Sequence, residues 1–260
     1  MTDHPMLFSG AMVRAELDDR KTNTRRTLTP ANTLFDGRPW TKLAKAQQWD
    51  WEKAWVDEGP SPMGNAGPYL KLPWLSGDDA FAGTTHRIYP KIQPGDRIWV
   101  KENHYLTDDG HEEFAVYAED LVAVADHKAS MERLSGQLSP KVISRHMKLR
   151  PSIHLPRWAS RITLTVTGIR IERLQDISEA DAIAEGIERH KSGWMPYATA
   201  FYEADGVTPA NYHGDPRESF RSLWIMINGI ESWKANPWVI AYAFTVDKRN
   251  IDAVAEPSPC

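Results

Sequence analysis

The run "RITLTVTGIRIERL" at 161–174 constrains the fold most strongly, because it has the pattern of a long β-strand. It is rich in β-branched residues, which favour strands. Apolar side chains alternate with threonines along it, and Ile162, Leu164 and Val166 share one face. A period of two is typical of a strand with one buried face. The chain therefore contains a sheet, and we expect core packing against that apolar face.

The segment after this strand predicts a helix. In "QDISEADAIAEGIER" Ser178 precedes Asp181 by three residues, a spacing that resembles a capping box. The apolar residues Ala182, Ile183 and Ile187 form a stripe along the same segment. The boundary and the stripe together predict a helix that begins just after Ser178.

Other segments supply the remaining elements. "AMVRAELDD" and "RESFRSLWIMIN" predict helices, whereas "RIWV", "EEFAVYAE" and "NPWVIAYAFTVDK" predict strands. Residues 28–90 are rich in Pro, Gly and Trp and predict an irregular insertion with one helix, on which Trp51 and Trp55 form a packing stripe or a ligand platform. This order of elements predicts a mixed α+β domain around a small curved sheet or barrel. The sequence has no Gly-rich phosphate loop between a strand and a helix, which argues against a nucleotide-binding fold.

Composition excludes several classes of protein. No run of 18 apolar residues exists, so we expect no membrane span, and the first ten residues lack the pattern of a secretory signal. The only cysteine is Cys260, and the nine histidines show no metal-binding spacing. We therefore expect a cytoplasmic protein that has neither a metal nor an organic cofactor.

The net charge of −4 excludes a globally basic nucleic-acid binder, but the charge is uneven. Residues 141–161 contain six Lys or Arg and no acidic residue, a pattern that suits a polyanion partner. Within it, Trp158 lies between Arg157 and Arg161, so the indole could stack on a base while the arginines hold phosphates. The alternatives are a basic surface balanced by acidic neighbours and a Trp158 that fills the core.

The motif "RKTNTRR" at 20–26 is a second concentration of basic and hydroxyl side chains. From the residues alone it is either a polar turn, a phosphate-binding patch or part of a reactive site.

Three stretches together resemble the ASCH domain family of PUA-like proteins. They are "RKTNTRR" at 20–26, "PGDRIWV" at 94–100 and "LQDISEADAIAEG" at 174–186, followed by "WVIAYAFTV". The longer sequence is similar to ASCH-type proteins of bacteriophages and prophages. The resemblance implies a small PUA-like β-barrel with flanking helices over residues 1–248, interrupted by insertions at about 28–90, 103–155 and 188–216. A polar tail follows at 249–260.

The resemblance also implies a site. In the bacterial ASCH enzymes that hydrolyse N4-acetylcytidine, a Lys, a Thr three residues later and a helical Glu form the catalytic set, which matches Lys21, Thr24 and Glu185 here. Asp19 departs from the family pattern, where a glycine commonly precedes the motif. Further binding residues are expected at Arg20, Arg25, Arg26, Trp99, Glu102, Arg157, Trp158 and Arg161. The implied partner is a modified nucleoside, or RNA or DNA.

The implied chemistry is hydrolysis of an N4-acylated cytosine amide. A threonine nucleophile needs a base, and a lysine with an ordinary pKa of about 10.4 must become neutral to serve as one. Burial and neighbouring arginines lower a lysine pKa, and an acid such as Glu185 would protonate the leaving amine. The alternatives are that Lys21 binds phosphate, that Glu185 is a surface residue paired with Arg189, and that the protein binds nucleic acid without turnover or cleaves RNA.

Overall fold

The chain has a mixed α+β fold. The computed structural model describes residues 1–46, 49–59, 68–75, 85–108, 112–134, 137–199, 209 and 211–253. Its helices are α1 (Gly10–Leu17), α2 (Lys42–Ala46), α3 (Leu121–Leu134), α4 (Pro140–His146), α5 (Glu179–Ala184), α6 (Pro216–Asn228) and α7 (Ile230–Lys234). Its strands are β1 (Asp3–Leu7), β2 (Asn23–Thr27), β3 (Thr33–Phe35), β4 (Trp55–Asp57), β5 (Tyr69–Pro73), β6 (Thr85–Pro90), β7 (Arg97–Lys101), β8 (His104–Asp108), β9 (Glu113–Tyr117), β10 (Thr163–Arg173), β11 (Arg189–His190), β12 (Gly193–Trp194) and β13 (Trp238–Asp247). Within these described ranges no helix is both long and apolar enough to cross a membrane.

The chain divides into two compact units. The first unit comprises Met1–Lys21, Arg97–Thr165 and Thr245–Cys260, and the second comprises Thr22–Asp96 and Val166–Phe244. Strands β10 and β13 each contribute residues to both units.

In the first unit, the middle strand of the described ladder is β7. It pairs with β1 in parallel and with the first residues of β10 in antiparallel register, so that Thr163 lies opposite Trp99. Ile98 and Leu164 are fully buried, as expected for the apolar face of the long strand. Strands β8 and β9 form a hairpin in the predicted insertion at 103–155. That insertion also contains α3 and α4, two helices that the sequence analysis did not predict.

In the second unit, β10 is followed by β13 and then by β2 in strand order. Strands β2 and β13 are antiparallel, and their register runs from Thr27 opposite Val239 to Asn23 opposite Ala243. The predictions of strands at 161–174 and 236–248 are confirmed. Because both strands are rich in β-branched and aromatic residues, they suit the middle of a sheet.

The insertion at 28–90 is more regular than its composition indicates. Its described part forms a four-stranded sheet in the order β3-β6-β5-β4, with Leu70 and Ile88 fully buried at its centre. The helix predicted at "WDWEKAW" is wrong, because Trp51 lies in a bend and Trp55 begins the edge strand β4. Pairing with β5, which includes the Lys71–Asp57 ion pair at 2.6 Å, overrides the helical spacing of the two tryptophans.

The helix expected after Ser178 is confirmed as α5. The Ser178 side chain accepts a hydrogen bond from the backbone N–H of Asp181, which caps the helix. The helix is shorter than predicted, because Gly186 adopts φ 87° and ends the helical run directly after Glu185. Glu185 is therefore at the carboxyl end of α5 rather than within it.

No closed barrel is present among the strands that the structure describes. Every sheet there has an open strand order, with β3-β6-β5-β4 and the β8-β9 and β11-β12 pairs formed separately from β2, β13 and β10. The mixed α+β class is thus established, and the barrel expected from the resemblance is not.

Candidate functional site

Strand β2 of the second unit carries most of the basic motif, and it presents that motif on two faces. Successive side chains of a strand point to opposite sides. Asn23 and Arg25 therefore share one face of β2, whereas Thr24 and Arg26 share the other. The two halves of the motif have different surroundings as a result.

Arg25 is the centre of a buried charge cluster. Its side chain is 0% exposed, and its guanidinium contacts three carboxylates. Nε donates to Glu172 at 2.8 Å, Nη2 lies 3.3 Å from Asp181, and Nη1 donates to Glu185 at 3.2 Å. The ring of Phe220 lies 5.9 Å from the guanidinium carbon. Because a buried charge is costly unless it is paired, this geometry fixes Arg25 and the three acids together.

Two elements supply those carboxylates. Glu172 comes from β10, whereas Asp181 lies in the first turn of α5 and Glu185 directly follows its last residue, Ala184. The helix is held against the start of β2, since the N–H of Thr22 donates to the carbonyl of Ala184 at 2.8 Å. Glu185 is only 2% exposed. The alternative that Glu185 is a surface residue is therefore wrong.

Asp181 connects the cluster to the open surface. It accepts from the amide of Asn23 at 3.1 Å and from Arg170 at 2.7 Å. Burial alone would raise the pKa of Asp181, but the hydrogen bonds from Arg170 and Ser178 and the charge of Arg25 outweigh it and lower the pKa. Asp181 is thus held as a carboxylate.

A cavity of about 200 Å³ lies beside this cluster on the β10-β13-β2 sheet. Residues from all three strands line it: Asn23, Gly168, Ile169, Arg170, Ala241, Tyr242 and Ala243. Small residues give it a shallow floor, and a Cβ built on Gly168 would meet only the Cβ of Ala243, at 3.9 Å. Asn23 and Arg170 bring an amide and a guanidinium to its lining. The cavity therefore suits a small flat molecule that hydrogen-bonds along its edge.

The predicted nucleophile, Thr24, lies on the other face of β2. It is fully buried opposite Tyr242. Neither hydroxyl has a hydrogen-bond partner among the residues that the structure describes. Burial raises the pKa of the Tyr242 phenol, and the positive charge of Arg26 opposes that rise only in part. Thr24 and Tyr242 therefore form a buried polar pair separate from the Arg25 cluster.

The predicted base, Lys21, is the last residue of its segment in the first unit. Its side chain is 0% exposed, and its backbone N–H donates to the carbonyl of Ala15 at 3.0 Å. Arg20 beside it is partly exposed and donates to Asp18 at 2.9 Å. A polar turn normally exposes its lysine to solvent, whereas Lys21 is buried.

Other predicted binding residues lie in the first unit. Glu102 is buried and accepts from Nε and Nη2 of Arg161, both at 2.9 Å. Burial raises the pKa of the Glu102 carboxyl, and the two bonds from Arg161 do not reverse that shift. Arg161 also lies 4.0 Å from the ring centroid of Tyr117. Trp99, expected as a binding residue, is buried in β7 opposite Thr163. Glu102 and Arg161 thus form a structural pair.

The basic run at 141–161 is partly neutralised within its own unit. Arg157 donates to Asp3 at 2.5 Å and to Asp252 at 2.7 Å, and Arg145 lies 3.6 Å from Glu113. With Arg161, three of the six cations of this run are therefore paired with acidic residues. Trp158 is 49% exposed, so the alternative that it fills the core is wrong.

Sequence patterns did not indicate four residues of the cluster and its cavity: Asn23, Arg170, Glu172 and Asp181. A signal existed for two of them, since Arg170 and Glu172 share one face of the predicted strand 161–174. The contact of Glu172 with Arg25 joins residues 147 positions apart, which sequence spacing does not reveal. In the part of the chain that the structure describes, no group of three or more His, Cys, Asp or Glu could hold a metal ion.

Comparison with known proteins adds no family to this site. No family model, no curated protein and no solved structure matches the chain.

Proposed function

We propose that the second unit binds the base of a nucleoside in the cavity beside Arg25. The observation that carries this proposal is the combination of a floor of small residues with an amide and a guanidinium, both tied to Asp181. A flat heteroaromatic ring fits over such a floor, and its edge presents both donors and acceptors. The resemblance to ASCH proteins is the family context of this proposal.

Charge supports a neutral or weakly polar ligand over a free anion. Arg25 already contacts three carboxylates, and Arg170 donates to Asp181 and lies 3.5 Å from Glu172. The cluster thus contains two cations and three anions when every group is ionised. A phosphate would meet this excess of negative charge, whereas a base edge would meet paired hydrogen-bonding groups.

The test is the binding of cytidine to the full chain, measured by equilibrium dialysis. Gly168→Leu places a branched side chain over the floor, and we expect at least a tenfold loss of affinity. Gly214→Ala is the matched control, because nothing lies within 4 Å of a Cβ at Gly214. Equal affinity in Gly168→Leu and the unaltered protein, or no binding by the unaltered protein, would overturn the proposal.

A second candidate function is hydrolysis of an N4-acylated cytosine. It is favoured by Thr24, whose buried hydroxyl has no hydrogen-bond partner among the described residues. In this reaction the Thr24 oxygen attacks the acyl carbon and gives its proton to the base. The C–N bond then breaks as Glu185, once protonated and released from its contact with Arg25, donates its proton to the cytosine N4, and water hydrolyses the acyl-threonine ester. The base stays the one predicted from the sequence, Lys21.

This candidate is tested with N4-acetylcytidine, followed by absorbance. We expect turnover by the unaltered protein and its loss in Thr24→Val, Lys21→Ala and Glu185→Gln. Thr27→Val, on the same strand, is the control for a threonine that the proposal does not use. Turnover that survives in Thr24→Val would exclude Thr24 as the nucleophile, and cytidine binding without turnover would leave only the binding function.

A further inference from the structure

A second cavity of the second unit, distinct from that beside Arg25, has a different chemistry. It also measures about 200 Å³ and lies where β10 ends and β13 begins. Its lining residues are Leu28, Trp51, Arg173, Ala235, Pro237 and Trp238. The lining is thus mostly aromatic and apolar, with a single cation.

That cation, Arg173, is fixed in place without a carboxylate. Its guanidinium carbon lies 4.4 Å from the ring centroid of Trp238. It donates to the carbonyl of Asn236 at 3.2 Å and to the carbonyl of Trp51 at 2.8 Å. Among the residues that the structure describes, Arg173 forms no ion pair. The cavity therefore carries an uncompensated positive charge.

The hydrogen-bonding capacity of Arg173 is not used up. A guanidinium has five N–H groups, and two of them donate to the carbonyls named above. Within the described part of the chain, the other three have no acceptor. A carboxylate or phosphate oxygen would satisfy these donors and the charge together.

The apolar walls of the cavity favour an aromatic ring as the uncharged part of the ligand. The Trp238 indole is held by its own Nε1–H, which donates to the Trp51 carbonyl at 3.0 Å. Arg173 and Trp238 therefore both bind the same carbonyl, and this shared anchor keeps the cation and the indole in one rigid arrangement. Indole and proline side chains favour contact with a flat apolar ring.

We propose that this cavity is a binding site for a planar aromatic anion, with the anionic group on Arg173 and the ring against Trp238. The proposal does not depend on the function proposed above, since the two cavities have no lining residue in common. A carboxylated ring and a phosphorylated ring both have the required chemistry, which is a planar apolar ring with an anionic group. Binding at this site involves no covalent step.

The test is calorimetric titration of the full chain with four probes. Benzoate and phenyl phosphate carry both the ring and the charge, benzamide carries the ring alone, and acetate carries the charge alone. We expect benzoate or phenyl phosphate to bind, and the tighter of the two identifies the anionic group. Benzamide and acetate should bind at least tenfold more weakly, because each lacks one of the two recognition groups.

Two variants tie binding to this cavity. Arg173→Gln removes the charge and should weaken binding roughly tenfold or more. Ala235→Phe keeps Arg173 and adds a ring at an exposed lining position of ordinary helical geometry, φ −64°. It should block the cavity without removing either hydrogen bond of the guanidinium, so it tests the site even if Arg173→Gln unfolds.

Arg189→Gln is the matched control, because Arg189 lies 4.7 Å from the ring centroid of Trp194 and does not line this cavity. We expect it to bind the aromatic anion as the unaltered protein does. Unchanged binding in Ala235→Phe, equal binding of benzoate and benzamide, or no binding of either aromatic anion would overturn the proposal.

Discussion

Thr24 and Tyr242 lie directly opposite one another in the β2–β13 ladder, and both hydroxyl oxygens are buried. Among the described residues neither hydroxyl has a hydrogen-bond partner. A buried polar group without a partner lowers stability, because it loses its hydrogen bonds to water without replacement. The pair is therefore a place where removing polarity should not weaken the fold.

We expect Thr24→Val to leave the free energy of unfolding unchanged or to raise it by up to about 1 kcal/mol. Thr33→Val is the control, since the buried Thr33 hydroxyl donates to the carbonyl of Thr29 and accepts from Trp40. The control should lose about 1–3 kcal/mol. Urea unfolding measures both, and an equal loss in the two variants would contradict the absence of a partner for Thr24.

Arg25→Met should be among the most destabilising substitutions in the second unit. It removes the cation that contacts three acids, of which Glu185 is almost fully buried. Removing one partner of a buried ion pair typically costs about 3–5 kcal/mol. Adding Glu185→Gln to Arg25→Met should restore part of that loss, because the second substitution removes a buried negative charge that has lost its contact with Arg25.

The control for this prediction is Arg170→Gln. Arg170 pairs with Asp181 at 2.7 Å, but its side chain is 54% exposed. An exposed ion pair contributes no more than about 1 kcal/mol. Urea unfolding should therefore separate the two arginines clearly, and a similar loss in both variants would show that the Arg25 cluster is solvated.

Asp181 and Glu102 should affect the pH dependence of stability in opposite directions. The pKa of Asp181 is lowered from 3.8 in the folded state, so its contribution is present above that value and is lost as the pH falls through the folded-state pKa. The pKa of Glu102 is raised from 4.5, so its contribution is present below that value and is lost as the pH rises through the folded-state pKa.

These opposite signs are measured from urea unfolding at a series of pH values. The stability difference between the unaltered protein and Asp181→Asn should shrink as the pH falls below 3.8. The difference between the unaltered protein and Glu102→Gln should turn against the unaltered protein as the pH rises above 4.5. Parallel curves for the two variants would contradict the assignment of burial as the main influence on Glu102.

The basic run at 141–161 should bind single-stranded RNA with a shallow salt dependence. Within the described residues, Lys141, Lys148 and Arg150 are the cations of this run without an acidic partner. Three phosphate contacts correspond to a slope of log K against log salt of about −2, compared with about −4 for six. Filter binding at several salt concentrations measures the slope.

Two variants distinguish free from neutralised cations in this run. Arg150→Gln should make the slope less steep by about 0.7, because one phosphate contact is lost. Arg157→Gln should leave the slope nearly unchanged, since Arg157 is already bound to Asp3 and Asp252. A slope near −4, or an equal effect of the two variants, would mean that the ion pairs open when RNA binds.

Sequence patterns predicted the elements whose signals are local. The alternation in 161–174, the cap at Ser178 and the helix at "RESFRSLWIMIN" each depend on neighbours within one element, and all three predictions are confirmed. The exposed Trp158 and the buried Trp99 have the same aromatic character in the sequence. Trp158 is exposed because it lies in a short 3-10 helical turn, whereas Trp99 is buried because it lies in the paired strand β7.

The sequence by itself determined the mixed α+β class, the strands β10 and β13 and the location of the basic motif on one short segment. Tertiary structure alone decided how that motif is used. The period of two along β2 separates Arg25 from Thr24, and pairing with β13 then buries Thr24 against Tyr242. The folding of α5 and β10 around Arg25 gathers three carboxylates from residues more than 140 positions away. A buried charge must be paired wherever its partners lie in the chain, and only the folded structure shows which acids those are.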